Sequence, residues 1–397
     1  MALDVQTIAS IIFVLFLTLF IILKRKNMQT QKILFPLLYF SMYRTQYGIK
    51  FMDSFARRFR KMLIFLGYAG IIVGFLGMIF ISYFIIQSLI PLLTQPDAKA
   101  SLSPVLPFKA RGIFFIPFFY WIIAIFIIAL VHEMAHGVIA RVYNLKVKSS
   151  GFAFLGVLLP IIPAAFVEPD EKKLKKRHYK EQLSIFAAGP FSNVIFGFVF
   201  LAIGLLVFAP LAGSMIESNG VLIKDYVESG KNFPAESAKL KGQVIKAVDN
   251  TEIKTIDDLS KVLGTRKPGQ IVNLKTDKDS YRITLAQNPE DASKAYLGAY
   301  LEQDTIAKSS YNQGILKYAP PVVSWFYTLF MVLFMLNFGV GMFNLLPLGP
   351  LDGGRMFQLV LYKIFEKEKA DRAFKAVGLF LLVIVAVHLV FAFLRPA

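Results

Sequence analysis

The chain has 397 residues, of which 56% are hydrophobic and 39 are phenylalanine, a balance that excludes an ordinary soluble globular protein. Its formal charge of +18 is confined almost wholly to three segments between apolar runs, so it reports membrane orientation and argues against a nucleic-acid partner. The absence of cysteine excludes disulfides, thiolate metal ligands and a cysteine nucleophile.

Six apolar stretches, at about 8–23, 63–90, 113–142, 183–211, 318–346 and 376–394, are long enough to span a bilayer. The first is preceded by a single charge, Asp4, and no small-residue cleavage site follows it, so it reads as a retained helix and not a signal peptide. Residues 1–111 then form two N-terminal membrane helices joined by a basic linker. Within that linker 33–43 is apolar but too short to cross, and Pro36 breaks it; the run is expected at the membrane interface or against the bundle.

The third stretch ends in Val131-His132-Glu133-Met134-Ala135-His136-Gly137. Ionisable groups inside a membrane helix are costly and mark a functional site by default. Positions i and i+4 share one helix face, so His132 and His136 can hold one zinc ion, with Glu133 beside it as a proton acceptor. Next, 151–163 is apolar, too short to span, and interrupted by Gly156, Pro160 and Pro163. Charged segments flank it, so it must enter and leave by one face. It is expected to be a re-entrant β-hairpin beside the active site, with Gly151, Phe152, Ala153 and Phe154 as substrate contacts.

The fourth stretch opens with Gly189-Pro190-Phe191-Ser192-Asn193, and the fifth is unwound by Asn344-Leu345-Leu346-Pro347-Leu348-Gly349-Pro350-Leu351-Asp352-Gly353-Gly354. A catalytic zinc needs three protein ligands and an open position; Asp352 is the best available third. On pattern alone Asn193 and Asn344 are either helix–helix glue or site groups. Trp121 and Trp325 read as interface anchors, and His388 as a packing or interfacial residue. Between the two stretches 213–305 has soluble composition, with strands expected at 220–223, 244–248, 271–274 and 281–285 and a short helix at 256–263. It suffices for one small α+β domain. Residues 112–212 and 306–397 would be the two halves of the catalytic core.

Segments 24–61, 141–181 and 355–375 carry net charges of +9, +5 and +3, whereas 213–317 is near neutral. With six spans the three basic segments share one side. The positive-inside rule makes that side cytoplasmic and puts both termini and the 213–305 domain outside a cell membrane.

The order of these motifs resembles the site-2 protease family of intramembrane zinc metalloproteases, over the chain from Gly112 to about Leu394. The outer segment Pro234-Ala235-Glu236-Ser237-Ala238-Lys239-Leu240-Lys241-Gly242-Gln243-Val244-Ile245 is similar to bacterial PDZ modules, with Lys239 and Gln243 where glycine and aspartate are usual. The resemblance implies a polytopic α-helical membrane protein with an inserted PDZ-like domain. His132, His136 and Asp352 would be zinc ligands, Glu133 the catalytic base, and Asn193 and Asn344 substrate or transition-state contacts. It implies transmembrane proteins as substrates, with a peptide or substrate ectodomain as a partner of the PDZ-like domain. The competing expectations are an inert membrane adaptor, against which the intact Glu133 stands, and a membrane protease acting on soluble or misfolded proteins.

Overall fold

The computed structural model describes residues 5–24, 28–34, 38–157, 159–227 and 233–395, in two compact units, Met1–Gly204 with Thr328–Ala397, and Leu205–Tyr327. In chain order, α1 (Val5–Lys24) is followed by β1 (Met28–Leu34), β2 (Leu38–Thr45), α2 (Ile49–Arg58) and α3 (Arg60–Thr94). α4 (Phe118–Val142) leads to β3 (Val147–Val157), β4 (Leu159–Pro169) and α5 (Tyr179–Ile203). The second unit contains β5 (Ile216–Tyr226), β6 (Val244–Val248), α6 (Ile256–Gly264), β7 (Ile271–Thr276), β8 (Ser280–Thr284) and β9 (Ala299–Ala307). Then come α7 (Ala319–Asn344), α8 (Asp352–Ile364) and α9 (Lys367–Leu394).

The chain is a polytopic helical membrane protein. Among the described residues five helices are long and apolar enough to cross: Arg60–Thr94, Phe118–Val142, Tyr179–Met215, Gly314–Asn344 and Lys367–Leu394. The expected count of six therefore becomes five. The first stretch is helical, but its apolar part, Ser10–Lys24, falls short; such a segment rises about 22 Å against a hydrocarbon core of about 30 Å. The helices turn aliphatic and aromatic side chains outward, such as Phe65, Leu76 and Ile79 on α3, as a lipid-solvated surface requires. α3 buries Gly67, Gly70 and Gly74 on one face, the small-residue seam by which membrane helices approach closely.

The linker at 24–61 corrects a second expectation. Leu38–Thr45 is a strand, and with β1 it extends the expected hairpin into a four-stranded antiparallel sheet of order β1-β2-β3-β4. Pro36 lies outside the described residues. Pairing explains the outcome: an apolar run at membrane depth must satisfy its backbone, and β3 supplies partners from Tyr39 opposite Gly156 to Thr45 opposite Ser150. The hairpin itself is longer than 151–163, running from Val147 opposite Pro169 to Val157 opposite Leu159. After the sheet, α2 is tied to α4 by an ion pair between Asp53, the single acid of the linker, and Arg141.

A core of Ile81 and Ile85 from α3, Leu183 and Ala187 from α5, Leu345 and Leu346 after α7, Met356 from α8 and Ile384 from α9 fixes the helices that bear the site. His388 belongs to this packing. It is fully buried, with Nε2 3.1 Å from the Ile85 carbonyl and 3.2 Å from Ser88 Oγ, and so joins α9 to α3. Trp121 is not an interface anchor: it is 1% exposed, and its indole N–H donates to the Val105 carbonyl at 3.0 Å.

The unit Leu205–Tyr327, larger than the 213–305 anticipated, is an α+β domain. Its antiparallel sheet has the order β8-β7-β6-β5-β9, and β5 and β9 pair from Ile216 opposite Ala307 to Tyr226 opposite Ala299. The residues beyond the expected ends are largely helical, Ala209–Met215 before β5 and Gly314–Tyr318 leading into α7. β7 alternates exposed and buried residues, and Val272, Leu274, Ile245 and Leu259 meet in the core. α6 begins at a reciprocal capping box of Thr255 and Asp258. Lys239 has φ of +53°, the left-handed conformation that glycine would adopt freely. Gln243 is buried, accepting from the Thr276 hydroxyl at 2.8 Å and donating to the Tyr281 hydroxyl at 3.0 Å.

Candidate metal centre and active site

His132 and His136 lie one turn apart on α4, with ring centroids 4.8 Å apart. Asp352 reaches them because α7 stops at Asn344 and α8 starts at Asp352, over a loop containing Pro347 and Pro350, which cannot continue a helix. Gly353 and Gly354 make the turn possible: a Cβ on either would collide with the Leu345 or Leu348 carbonyl. Bare backbone there lets the first turn of α8 press onto the loop, which aims Asp352 at α4.

The three side chains converge tightly. Asp352 Oδ2 lies 3.1 Å from His132 Nε2 and 3.2 Å from His136 Nε2, and the two nitrogens are 3.1 Å apart. Ligand atoms around tetrahedral zinc, with bonds of about 2.0–2.1 Å, are separated by about 3.3 Å. The donor triangle is therefore of the right size and chemistry, two imidazoles and a carboxylate. His136 Nδ1–H donates to the Ile185 carbonyl at 2.6 Å, which leaves the lone pair on Nε2, as metal binding requires. Space is also kept at the donors. A Cβ on Gly189 of α5 would strike Nε2 of both histidines, so the glycine of the Gly189–Asn193 motif holds the pocket open.

The remaining groups surround this triangle. Glu133, Asn193 and Asn344 line, with the three ligand candidates, one cavity of about 880 Å³. Glu133 Oε2 accepts the Val167 N–H of β4 at 2.9 Å. Asn193 is fully buried, its side-chain amide nitrogen 3.1 Å from His132 Nδ1. Gly151, Phe152, Ala153 and Phe154 are placed differently from the rest. They sit on β3, whose backbone pairs with β2 on one side and β4 on the other. The strand along the cavity is β4, the last in the sheet, through Ala164, Ala165, Phe166, Val167, Glu168 and Pro169. Residues 151–154 thus lie one strand away from the cavity-lining strand, because β2 occupies the edge of β3 that sequence reasoning left free.

Two further groups went unnoticed in the sequence. Arg355, one turn after Asp352 on α8, lines the cavity, stacks over Phe186 at 5.4 Å and lies 3.7 Å from Glu171. Glu168 on β4 also lines the cavity, accepting from Ser149 Oγ at 2.7 Å and pairing with Arg44 at 3.3 Å. Their i+3 and strand-end positions beside the motifs were the available signal.

Residues 120–386 match the sequence profile of Peptidase family M50. The chain belongs to that family, the site-2 proteases. It is 29% identical over 342 residues to an uncharacterized protein of Methanocaldococcus jannaschii, covering 85% of this chain and 82% of that one. It is also 24% identical over 311 residues to a Clostridium acetobutylicum protein named as a candidate zinc metalloprotease, covering 63% of this chain and 88% of the relative. The M50 match spans the histidine pair, the Gly189–Asn193 motif and Asp352, so the candidate metal site lies wholly within it. As an M50 member the chain is a membrane metallopeptidase, and its metal is zinc.

Proposed function

We propose that the protein cleaves transmembrane proteins within or near their membrane segments, with zinc held by His132, His136 and Asp352. The observation that carries this reading is the convergence of all three donors on one cavity inside the helical bundle. Zinc there supplies Lewis acidity, which lowers the pKa of water and polarises a carbonyl. Glu133 takes the proton of the attacking water and passes it to the departing amine. Its tie to Val167 keeps the carboxylate against β4. A peptide bond in an intact helix is shielded by its own hydrogen bonds, so the substrate must unwind. The outward edge of β4 receives the unwound segment as an added strand, and Asn344, at the end of α7 and lining the same cavity, contacts it.

The basic segments set the orientation. They stay on one side of the membrane whether α1 crosses or not, because all three lie between the same alternating spans. This side is cytoplasmic. The part of Leu205–Tyr327 between the spans and the C-terminus are then outside, and the N-terminus joins them when α1 spans. The domain is PDZ-like and screens substrate ectodomains. Cysteine introduced by Lys50→Cys or Lys173→Cys should be labelled from the cytoplasm, and by Lys254→Cys from outside; the chain has no native cysteine to confuse the readout. Outside labelling at Lys50 would reverse the orientation. The direct test of function is a panel of single-span proteins incubated with the purified protein, with and without chelator, and read by mass spectrometry. Chelator-sensitive cuts inside the spans are expected; cuts confined to soluble loops would refute intramembrane action.

A further inference from the structure

Three residues on one face of α5 meet the histidine pair. Ile185 offers its carbonyl to His136 Nδ1, Gly189 leaves the space at both Nε2 atoms, and Asn193 stands at His132 Nδ1. The spacing i, i+4, i+8 puts them in one row along the helix. Two histidines one turn apart are thus met, on the same neighbouring helix, by two polar groups of which one is unmistakably an acceptor.

The Asn193 amide is the other. It is fully buried, with Nδ2 3.1 Å from His132 Nδ1, while Oδ1 is buried and has no hydrogen-bond partner. The two ends of an amide are nearly the same size, and which end faces a neighbour is settled by the hydrogen bonds it makes. With Nδ2 towards the ring, His132 Nδ1 must accept, and the imidazole proton moves to Nε2. That proton would point into the triangle formed with His136 and Asp352, leaving His132 no lone pair for a metal. With Oδ1 towards the ring, Nδ1–H donates to it and Nε2 is free to ligate.

We infer that Asn193 is a positioning residue for the metal site: its amide oxygen accepts the His132 Nδ1–H, as the Ile185 carbonyl does for His136. It acts through His132 and not on the substrate oxyanion that the sequence motif suggests. The inference rests on zinc binding by His132, His136 and Asp352. Loss of such an outer partner typically lowers metal affinity about 10- to 100-fold.

An acceptor role and a donor role separate on one substitution. Aspartate can accept from His132 but cannot donate to an oxyanion. The zinc dissociation constant of the purified full-length protein is measured by competition with a chromogenic chelator, alongside thermal unfolding. Asn193→Leu, of similar size without hydrogen-bonding groups, and the smaller Asn193→Ala should each weaken zinc binding about 10- to 100-fold. Asn193→Asp should bind zinc at least as tightly as the unaltered chain. Wild-type affinity in both Asn193→Leu and Asn193→Ala would overturn the inference, as would an Asn193→Asp affinity as poor as theirs. A wild-type chain that holds zinc while the variants fail this pattern leaves the metal site standing. A wild-type chain that holds none brings down the site and the inference together.

Discussion

The two units treat buried polar groups in opposite ways. In Leu205–Tyr327, Gln243 and Thr276 bond to one another and to Tyr281 and the Asp279 carbonyl, a closed set beneath a sheet. In the other unit His132, His136 and Asp352 bring acceptor atoms to within 3.2 Å of one another around a cavity. Closed networks stabilise a fold and ask for nothing further. Converging acceptors repel unless a proton or cation lies among them, and lipid offers no water to relieve them. The Gln243–Thr276 pair is thus structural, whereas the His132, His136 and Asp352 cluster points to chemistry.

Glu133→Gln should sharpen that contrast most. It removes the base and leaves the ligands, so turnover on a single-span substrate should fall by about 100- to 10,000-fold. Zinc content by atomic absorption should be unchanged. Undiminished turnover would mean that the converging groups of the membrane unit are not the catalytic ones.

An intermediate effect is expected from removing most of the soluble unit. Residues 219–302 can be replaced by a short flexible linker, since Ser218 is paired with Thr305 in adjacent strands and the cut ends are neighbours. Cleavage of substrates with short ectodomains should persist, and some cleavage of long-ectodomain substrates refused by the intact protein should appear. Equal rates for both lengths before and after deletion would eliminate a size filter. Selective loss of short-substrate cleavage, with zinc retained, would instead assign the unit to peptide capture.

The smallest effect belongs to the capping box. Thr255→Ala removes the acceptor for the Asp258 N–H and should cost about 1 kcal/mol of domain stability. Calorimetry of the full chain would show it, with zinc content and short-substrate turnover unaltered. The Thr255 hydroxyl and backbone N–H hold the Asp258 carboxyl below the usual carboxylate range. A lowered folded-state value means that its contribution is present above the ordinary range and fades as pH falls towards the lowered one. A drop in turnover parallel to the stability loss would break the separation between the units.

Legibility from sequence followed the same division. His132, Glu133, His136 and Asp352 stood out because charge is rare in apolar runs, and α6 because its amphipathic pattern is local. β1 and β2 were hidden: the 33–43 run lacks alternation, and β2's partner lies more than a hundred residues away, with Tyr43 opposite Phe152. That missing strand also hid that β3 is paired on both edges, which leaves β4 as the free edge of the sheet. The partner of Asn193 could not be read either, because it depends on the rotational phase of α5 against α4. The shortfall at α1 turned on a few apolar residues at the helix end.

The bond from Val167 to Glu133 has a consequence for what the enzyme selects. The Val167 N–H points away from β3, and strand alternation turns Ala165, Pro163 and Pro169 the same way. Prolines have no N–H, and Val167's is engaged by Glu133, so of these four residues Ala165 alone has a further N–H to offer along that stretch of edge. On the proposed reading, a platform with so few main-chain donors would hold only a short extended piece, through bonds that are blind to the substrate's side chains. With β4 as the receiving edge, choice passes to the substrate's own mechanics. The cut is then expected where a helix comes loose most cheaply, at glycine, proline or a polar residue, and a uniformly aliphatic span of the same length is expected to stay uncut.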